Sequence, residues 1–131
     1  MLEDKPVLIV QDNIYLALDL CAAVEQLEGR VVGPVGTVAD ALAVLDSEHI
    51  AAAIVDCQLP DGDVKPLAAA LCRKGVPFVI QSANGISAEI AMVAPEIPVL
   101  IKPIQARDVV SVLAHEVIKA SSASVSPGDA V

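Results

Sequence analysis

The sequence predicts an α/β protein in (βα)5 order, with a doubly wound parallel five-stranded sheet. Five short, β-branched apolar runs recur along the chain, and such runs are typical of strands buried on both faces of a parallel sheet. The segments between these runs carry apolar residues at helical spacing, and strands that alternate with helices indicate parallel strands joined by crossover helices. At 131 residues, the chain has the length of one domain with a single core.

The first half of the chain supplies three of the predicted strands. Gly33 and Pro34 are poorly suited to the interior of a sheet, so the second strand is predicted at an edge. Thr37 and Asp40 match a capping box, which predicts the start of the second helix. The predicted strands are residues 6–10, 30–34 and 50–55, and the predicted helices are residues 14–28 and 37–47.

The second half continues the alternation. Asp63 is a suitable cap for a third helix, and Gly85, Pro95 and Pro98 crowd the fourth one. The predicted strands are residues 76–80 and 97–101, and the predicted helices are residues 64–74, 86–93 and 105–120. Residues 121–131 are small, polar and aperiodic, so a disordered tail is expected after a domain of residues 1–120.

Composition excludes several classes of function. No apolar stretch reaches the ~20 residues of a membrane span, and the charged start does not resemble a signal peptide, so a cytoplasmic protein is expected. The net charge of −9, without a basic face, argues against direct binding of nucleic acids. Cys21, Cys57 and Cys72 lack the spacing of metal ligands and are predicted to be free, buried thiols.

Residues that can carry chemistry follow four of the predicted strands: Gln11 and Asp12, then Asp56, then Ser82, then Lys102. Because the carboxyl ends of parallel strands meet at one edge of the sheet, these side chains are expected to converge. Carboxylates can hold a hard divalent cation, and one of them can be a nucleophile. The cation, a hydroxyl and an ammonium group can together neutralise a transferring phosphoryl group. The pattern therefore favours phosphoryl transfer.

Four motifs carry a resemblance to a known family: LIVQDN at 8–13, IVDCQLP at 54–60, VIQSA at 79–83 and LIKP at 100–103. With these motifs the chain resembles the receiver domain of bacterial two-component response regulators, of the single-domain type, over about residues 5–120. The resemblance implies a flavodoxin-like fold with strand order 2-1-3-4-5. It also implies phosphorelay signalling through protein contacts, or a role as a phosphate shuttle or sink, rather than turnover as an enzyme.

The resemblance also implies roles for individual residues. Asp56 would be the phosphoacceptor, forming an aspartyl phosphate with phosphate from a histidine kinase or a histidine phosphotransfer protein. Asp12 would be a direct Mg²⁺ ligand, with Asp56 and the backbone carbonyl of Gln58 completing the metal site. Ser82 would be the hydroxyl that moves to the phosphoryl group, and Lys102 would pair with a phosphoryl oxygen. The peptide bond between Lys102 and Pro103 would be cis.

Two positions depart from the family pattern. Gln11 stands in place of an acid; it can bind a metal-bound water but adds no charge, so Mg²⁺ affinity should fall. Val99 stands in place of the switch aromatic, which leaves Ser82 and the backbone of residues 81–85 for switching. A pseudo-receiver that is not phosphorylated and acts as an interaction module is therefore an alternative. A small flavodoxin-like ligand binder or phosphohydrolase is another, although Gln58 occupies a position where such a hydrolase would need an acid.

The first helix carries a second apolar stripe, opposite its inward face: Tyr15, Leu18 and Ala22. Apolar atoms commonly cover protein surfaces, so such a stripe can be without function. We favour docking of a partner helix or of a second copy, which would form a homodimer, because the same helix flanks Asp56. In the family this face meets the helical domain that bears the phosphohistidine.

Overall fold

The computed structural model describes residues 2–85 and 88–124, and the predicted alternation of strands and helices is confirmed. The strands are β1 (Pro6–Val10), β2 (Arg30–Val35), β3 (Ala52–Asp56), β4 (Phe78–Ser82) and β5 (Val99–Ile101). The helices are α1 (Ile14–Gln26), α2 (Val38–Ser47), α3 (Lys65–Arg73), α4 (Ala88–Val93) and α5 (Ala106–Ser124).

The five strands form one sheet in the order β2-β1-β3-β4-β5, and every pair is parallel. This confirms the expected strand order and the edge position of β2. Val10 pairs with Val55, and Asp56 pairs with Gln81. The carboxyl ends of β1, β3 and β4 therefore lie side by side at one edge of the sheet.

Successive side chains along the strands point to opposite faces of the sheet and pack into two separate core layers. Leu8 and Val10 of β1 belong to the layer beneath α2, α3 and α4, whereas Val7 and Ile9 belong to the layer beneath α1 and α5. All five residues of β1 and all five of β3 are buried, as expected for strands covered on both faces. The acid that ends β3 is thus held by packing on both sides of the sheet.

Several element ends differ from their predicted positions. β5 begins at Val99 rather than at residue 97, and the preceding Pro98 has no N–H to donate to a ladder. β2 extends to Val35, and its register with β1 shifts near Gly33, whose φ of +95° suits glycine. α5 continues to Ser124, so residues 121–124 are helical rather than part of a disordered tail. The rest of that expected tail lies outside the described residues.

Side-chain caps start the first two helices. The Asn13 side chain accepts the backbone N–H groups of Tyr15 and Leu16 at the start of α1. The Thr37 hydroxyl accepts the N–H of Asp40 at 3.0 Å, which confirms the predicted cap of α2. These bonds satisfy N–H groups that have no partner inside their own helix.

The three cysteines are free, as predicted, but their burial differs from the prediction. Cys21 and Cys57 are half-buried, and Cys57 packs against the core beneath α2 and α3. Cys72 is exposed, because the last turn of α3 directs Leu71 inward and its neighbour outward. Desolvation raises the pKa of both the Cys21 and the Cys72 thiol, so neither is activated as a thiolate.

In the described part of the chain, no helix is long and apolar enough to cross a bilayer.

Candidate functional site

Asp56 ends β3 with 2% of its surface exposed, and three donors surround its carboxylate. Gln11 Nε2 and Lys102 Nζ each donate to Asp56 Oδ2 at 2.7 Å. The backbone N–H of Gln58 donates to Asp56 Oδ1 at 2.8 Å. A buried carboxylate is costly unless it is paired and hydrogen-bonded, and these contacts meet that requirement. Asp56 is therefore held in one orientation.

The Gln11 side chain is fixed at both ends of its amide. Its Oε1 accepts the backbone N–H of Asn13 at 3.0 Å, which leaves the NH₂ group to face Asp56. Only 4% of Gln11 is exposed. Since a backbone N–H can only donate, this network assigns the amide oxygen and nitrogen without ambiguity. Gln11 is thus a hydrogen-bond donor to the acid at the end of the neighbouring strand, whereas the sequence indicated only a water-mediated metal contact.

Lys102 follows β5 and reaches the same carboxylate from the side opposite Gln11, because β1 and β5 lie on opposite sides of β3 in the sheet. The ion pair measures 2.7 Å, with the Lys102 side chain 25% exposed and that of Asp56 3% exposed. The backbone N–H of Lys102 donates to the Ser82 carbonyl at 2.8 Å, and the bond to Pro103 is cis, as the resemblance implied. The structure therefore brings Lys102 to Asp56, as expected from the strand ends.

Ser82 lies at the same edge but its hydroxyl is engaged in its own loop. The hydroxyl donates to the Gly85 carbonyl and accepts the backbone N–H of Asn84 at 3.2 Å. Ser82 is 1% exposed, and β4 places it one residue beyond Gln81, the partner of Asp56 in the ladder. Movement of this hydroxyl toward a group on Asp56 would therefore break its hydrogen bond to the Gly85 carbonyl and form a new one to that group.

The acids available for a divalent cation are few. Asp12 follows Gln11 and is exposed, and Gln58, whose carbonyl was expected at the metal, follows Asp56 by two residues. Among the described residues, no cluster of three or more His, Cys, Asp or Glu side chains could hold a metal ion. Protein sites for Mg²⁺ and Ca²⁺ rely on carboxylate oxygens, and here an amide NH₂ group occupies one side of Asp56. These residues fit a tightly bound divalent cation poorly.

The predicted surface stripe of α1 is exposed. Tyr15 is 78% exposed and Leu18 55%, and Ala22 also faces solvent. Ile14, which the spacing argument did not include, lies one helical turn before Leu18 and is 55% exposed, so it widens this apolar face. Because α1 begins shortly after Gln11, which contacts Asp56, this face starts beside the edge of the sheet that carries Asp56. The face is open to contact with another protein.

A groove of about 350 Å³ lies between α1 and the start of α5. Leu16 and Ile104 are among its walls, and Gln81 is among its lining residues. Gln81 is 6% exposed, and its Oε1 has no hydrogen-bond partner in the described part of the chain. Sequence reasoning did not single out Gln81, although an amide within the apolar run of β4 was a visible signal.

Comparison of the whole chain with known proteins gives results at the level of structure. No family model matches the sequence, and no curated protein matches it either. A CheY-like response regulator receiver domain protein from Methanospirillum hungatei JF-1 is 21% identical, with a TM-score of 0.78; the match covers 90% of this chain and 97% of that one.

Two further structures extend the comparison. SdrG from Sphingomonas melonis Fr1 is 31% identical over 90% of this chain and 99% of its own, with a TM-score of 0.73. A response regulator from Burkholderia pseudomallei, solved with a phosphorylated aspartic acid and a calcium ion, is 21% identical with a TM-score of 0.71. That match covers 92% of this chain and 73% of the other.

Proposed function

The chain belongs to the family of response regulator receiver domains, and we propose that it accepts a phosphoryl group on Asp56. The observation that carries the proposal is the buried Asp56 carboxylate at the end of β3, paired with Lys102 at 2.7 Å. The phosphorylated aspartic acid in the related Burkholderia pseudomallei structure supports the same chemistry. The product would be an aspartyl phosphate that signals through protein contacts or passes its phosphate on.

The donor would be a phosphohistidine of a histidine kinase or of a histidine phosphotransfer protein. An oxygen of Asp56 attacks phosphorus as the bond between phosphorus and the imidazole nitrogen breaks, and the imidazole keeps the electron pair. The attacking oxygen belongs to the carboxylate that pairs with Lys102. Lys102 would offset the charge on the phosphoryl oxygens, and Ser82 would contribute its hydroxyl after release from Gly85.

A divalent cation would bind through Asp12, Asp56 and the Gln58 carbonyl, and would add positive charge at the phosphoryl oxygens. Calcium in the Burkholderia pseudomallei protein supports binding of a divalent cation in this family. In this chain we propose that Mg²⁺ binds weakly, because Gln11 contributes no carboxylate. The hydrogen bonds and the ion pair of Asp56 do not depend on bound Mg²⁺.

The exposed face of α1 would receive the phosphodonor protein. Tyr15 and Leu18 present apolar surface next to the edge of the sheet that carries Asp56, here called the acceptor edge. Burying such surface favours association. A second copy of the chain could use the same face. The net charge of −9 favours a protein partner over direct contact with nucleic acids.

One observation favours the pseudo-receiver alternative. The Asp56 carboxylate already has three hydrogen-bond donors and is 2% exposed, so its unphosphorylated form is fully accommodated by the fold. A domain of this kind could act as an interaction module through α1 without ever being phosphorylated. The two functions differ in one measurable property, the covalent modification of Asp56.

The deciding experiment is intact-mass measurement after incubation with acetyl phosphate and Mg²⁺. We expect a mass gain of one phosphoryl group that is lost in Asp56→Asn, which keeps the size of the side chain. Asp63→Asn changes an exposed acid of the following loop and should keep the gain. If saturating donor and metal give no gain in the wild-type protein, the interaction module is the better description.

A further inference from the structure

Gln11 does more at this site than replace an acid. We propose that its amide offsets charge at Asp56 in place of a divalent cation, so that the acceptor is competent without bound metal. The inference rests on the proposed function, since it concerns how Asp56 is prepared for phosphorylation. Gln11 is a positioning residue in this sense, because it acts through the carboxylate of Asp56.

The local charge at the site supports this role of Gln11. The buried group consists of neutral Gln11, anionic Asp56 and cationic Lys102, so its formal charge is zero. An acid at position 11 would place a second negative charge beside the buried carboxylate. Two negative charges in contact repel each other unless a cation lies between them. With Gln11 the buried part of the site has no such excess charge, and the remaining acid, Asp12, is exposed to solvent.

The geometry of the Gln11 amide supports the same role. The Asn13 N–H fixes Gln11 Oε1 at 3.0 Å, and this directs Nε2 at Asp56 Oδ2 at 2.7 Å. A glutamate in the same position could accept from Asn13 but would then direct an oxygen at Asp56. A carboxylate cannot donate, so the contact would become repulsive. The backbone at Asn13 therefore selects an amide at this position.

The Gln11 amide can also stabilise the phosphorylated state. When Asp56 takes a phosphoryl group, one O–P bond forms as the O–P bond of acetyl phosphate breaks, and acetate leaves with the electron pair. The local negative charge then increases. An amide nitrogen carries two N–H groups, of which one is bound to Asp56, so the second can donate to a phosphoryl oxygen. Gln11 and Lys102 can thus both serve the product.

The test compares wild type with Gln11→Glu, which preserves shape while replacing the NH₂ group by an anionic oxygen. Gln26→Glu makes the same charge change at an exposed position on the last turn of α1, twelve or more residues from the acceptor edge. Each protein is labelled with acetyl phosphate in EDTA and in excess Mg²⁺, and the initial rates are measured by intact mass.

We expect the wild-type rate in EDTA to stay within about tenfold of the rate in Mg²⁺, and the same for Gln26→Glu. For Gln11→Glu, we expect EDTA to slow labelling by about 100-fold, since a charge-assisted hydrogen bond is replaced by a repulsive contact. Loss of wild-type labelling in EDTA, with labelling retained in Mg²⁺, would overturn the inference and leave the proposed function standing.

A second measurement does not require phosphorylation. Mg²⁺ is titrated by calorimetry, and Tm is recorded with and without Mg²⁺, for the same three proteins. We expect Gln11→Glu to bind Mg²⁺ at least about tenfold more tightly than wild type and to gain more in Tm, because binding to the folded state stabilises it. Equal affinities and equal Tm shifts would contradict the inference. This holds even if labelling fails in every condition, which is the outcome that contradicts the proposed function.

Discussion

The carboxylate of Asp61 accepts the backbone N–H groups of Val38 and Ala39, at 2.9 and 3.1 Å. Asp61 lies in the loop that follows the acceptor, and the two N–H groups belong to the first turn of α2. One side chain therefore connects the segment that begins at Asp56 with a helix 23 residues earlier in the chain. A negative charge at a helix N-terminus is stabilised by the helix dipole as well as by these bonds.

This contact predicts a dependence of stability on pH. The bonds from Val38 and Ala39 lower the pKa of Asp61, so the folded state favours the charged form. The contribution is complete above the ordinary carboxyl pKa, near pH 4, and is lost as the pH falls through the lowered folded-state pKa.

The measurement is the difference in free energy of unfolding between wild type and Asp61→Asn, from pH 6 to pH 2. We expect the advantage of wild type to shrink as the pH falls. Asp46→Asn, at an exposed site on α2, should show a smaller change across that range. A difference for Asp61→Asn that is constant with pH would contradict the role of its charge.

Replacing Lys102 with methionine should destabilise the fold. The substitution leaves a buried carboxylate without its cation, and we expect a loss of about 2 kcal/mol in the free energy of unfolding. The double variant Asp56→Asn with Lys102→Met should recover most of that loss, because no buried charge remains. Urea denaturation of wild type, the single variants Lys102→Met and Asp56→Asn, and the double variant measures both effects. The pairing energy would be negligible if the effects of the two single substitutions added up in the double variant.

Ser82→Ala should loosen the loop after β4. The N–H of Asn84 donates to the Ser82 hydroxyl, so its hydrogen exchange should accelerate by about tenfold in the variant. The N–H of Cys57 donates to the Gln81 carbonyl in the neighbouring strand and should be unaffected. Exchange measured by NMR reports both amides in one experiment. Unchanged exchange at Asn84 would mean that the hydroxyl does not hold this loop.

Leu18→Lys should slow phosphotransfer from a histidine kinase or a histidine phosphotransfer protein by about tenfold or more, because a charge would replace exposed apolar surface at the docking face. Labelling by acetyl phosphate needs no docking and should stay within about twofold of wild type, since the substitution does not touch Asp56.

Ile118→Lys is the matched control, because Leu18 and Ile118 are 55% and 52% exposed. Ile118 lies twelve residues along α5, roughly 18 Å from its start near the acceptor edge. Equal effects of the two substitutions on transfer from the protein donor would argue against α1 as the docking face.

The strand ends were predictable from sequence because they depend on local pattern. Short apolar runs fix β1 and β3, and parallel pairing then brings Asp56 and Lys102 to one edge. The direction of the Gln11 amide was not predictable in this way, since it depends on an N–H of Asn13 that only the folded loop presents. The exposure of Cys72 depends on the helical phase at the end of α3, where successive side chains point about 100° apart, so that Leu71 is buried and Cys72 is exposed.

The same limit applies to Asp61. Its partners lie 22 and 23 residues earlier, and a polar residue in a turn sequence has many local alternatives. The contact arises when the loop after β3 packs against α2. Its role in holding that loop could therefore be read only from the folded chain.

The two outermost strands of the sheet, β2 and β5, limit how copies of this chain can associate. β5 offers three residues, and β2 is interrupted by a register shift and by Pro34, which has no N–H to donate. Short or broken edges are a common protection against strand addition and the aggregation that follows from it. Self-association of this protein should therefore proceed through helix surfaces, and a concentrated solution should resist growth of intermolecular β-sheet.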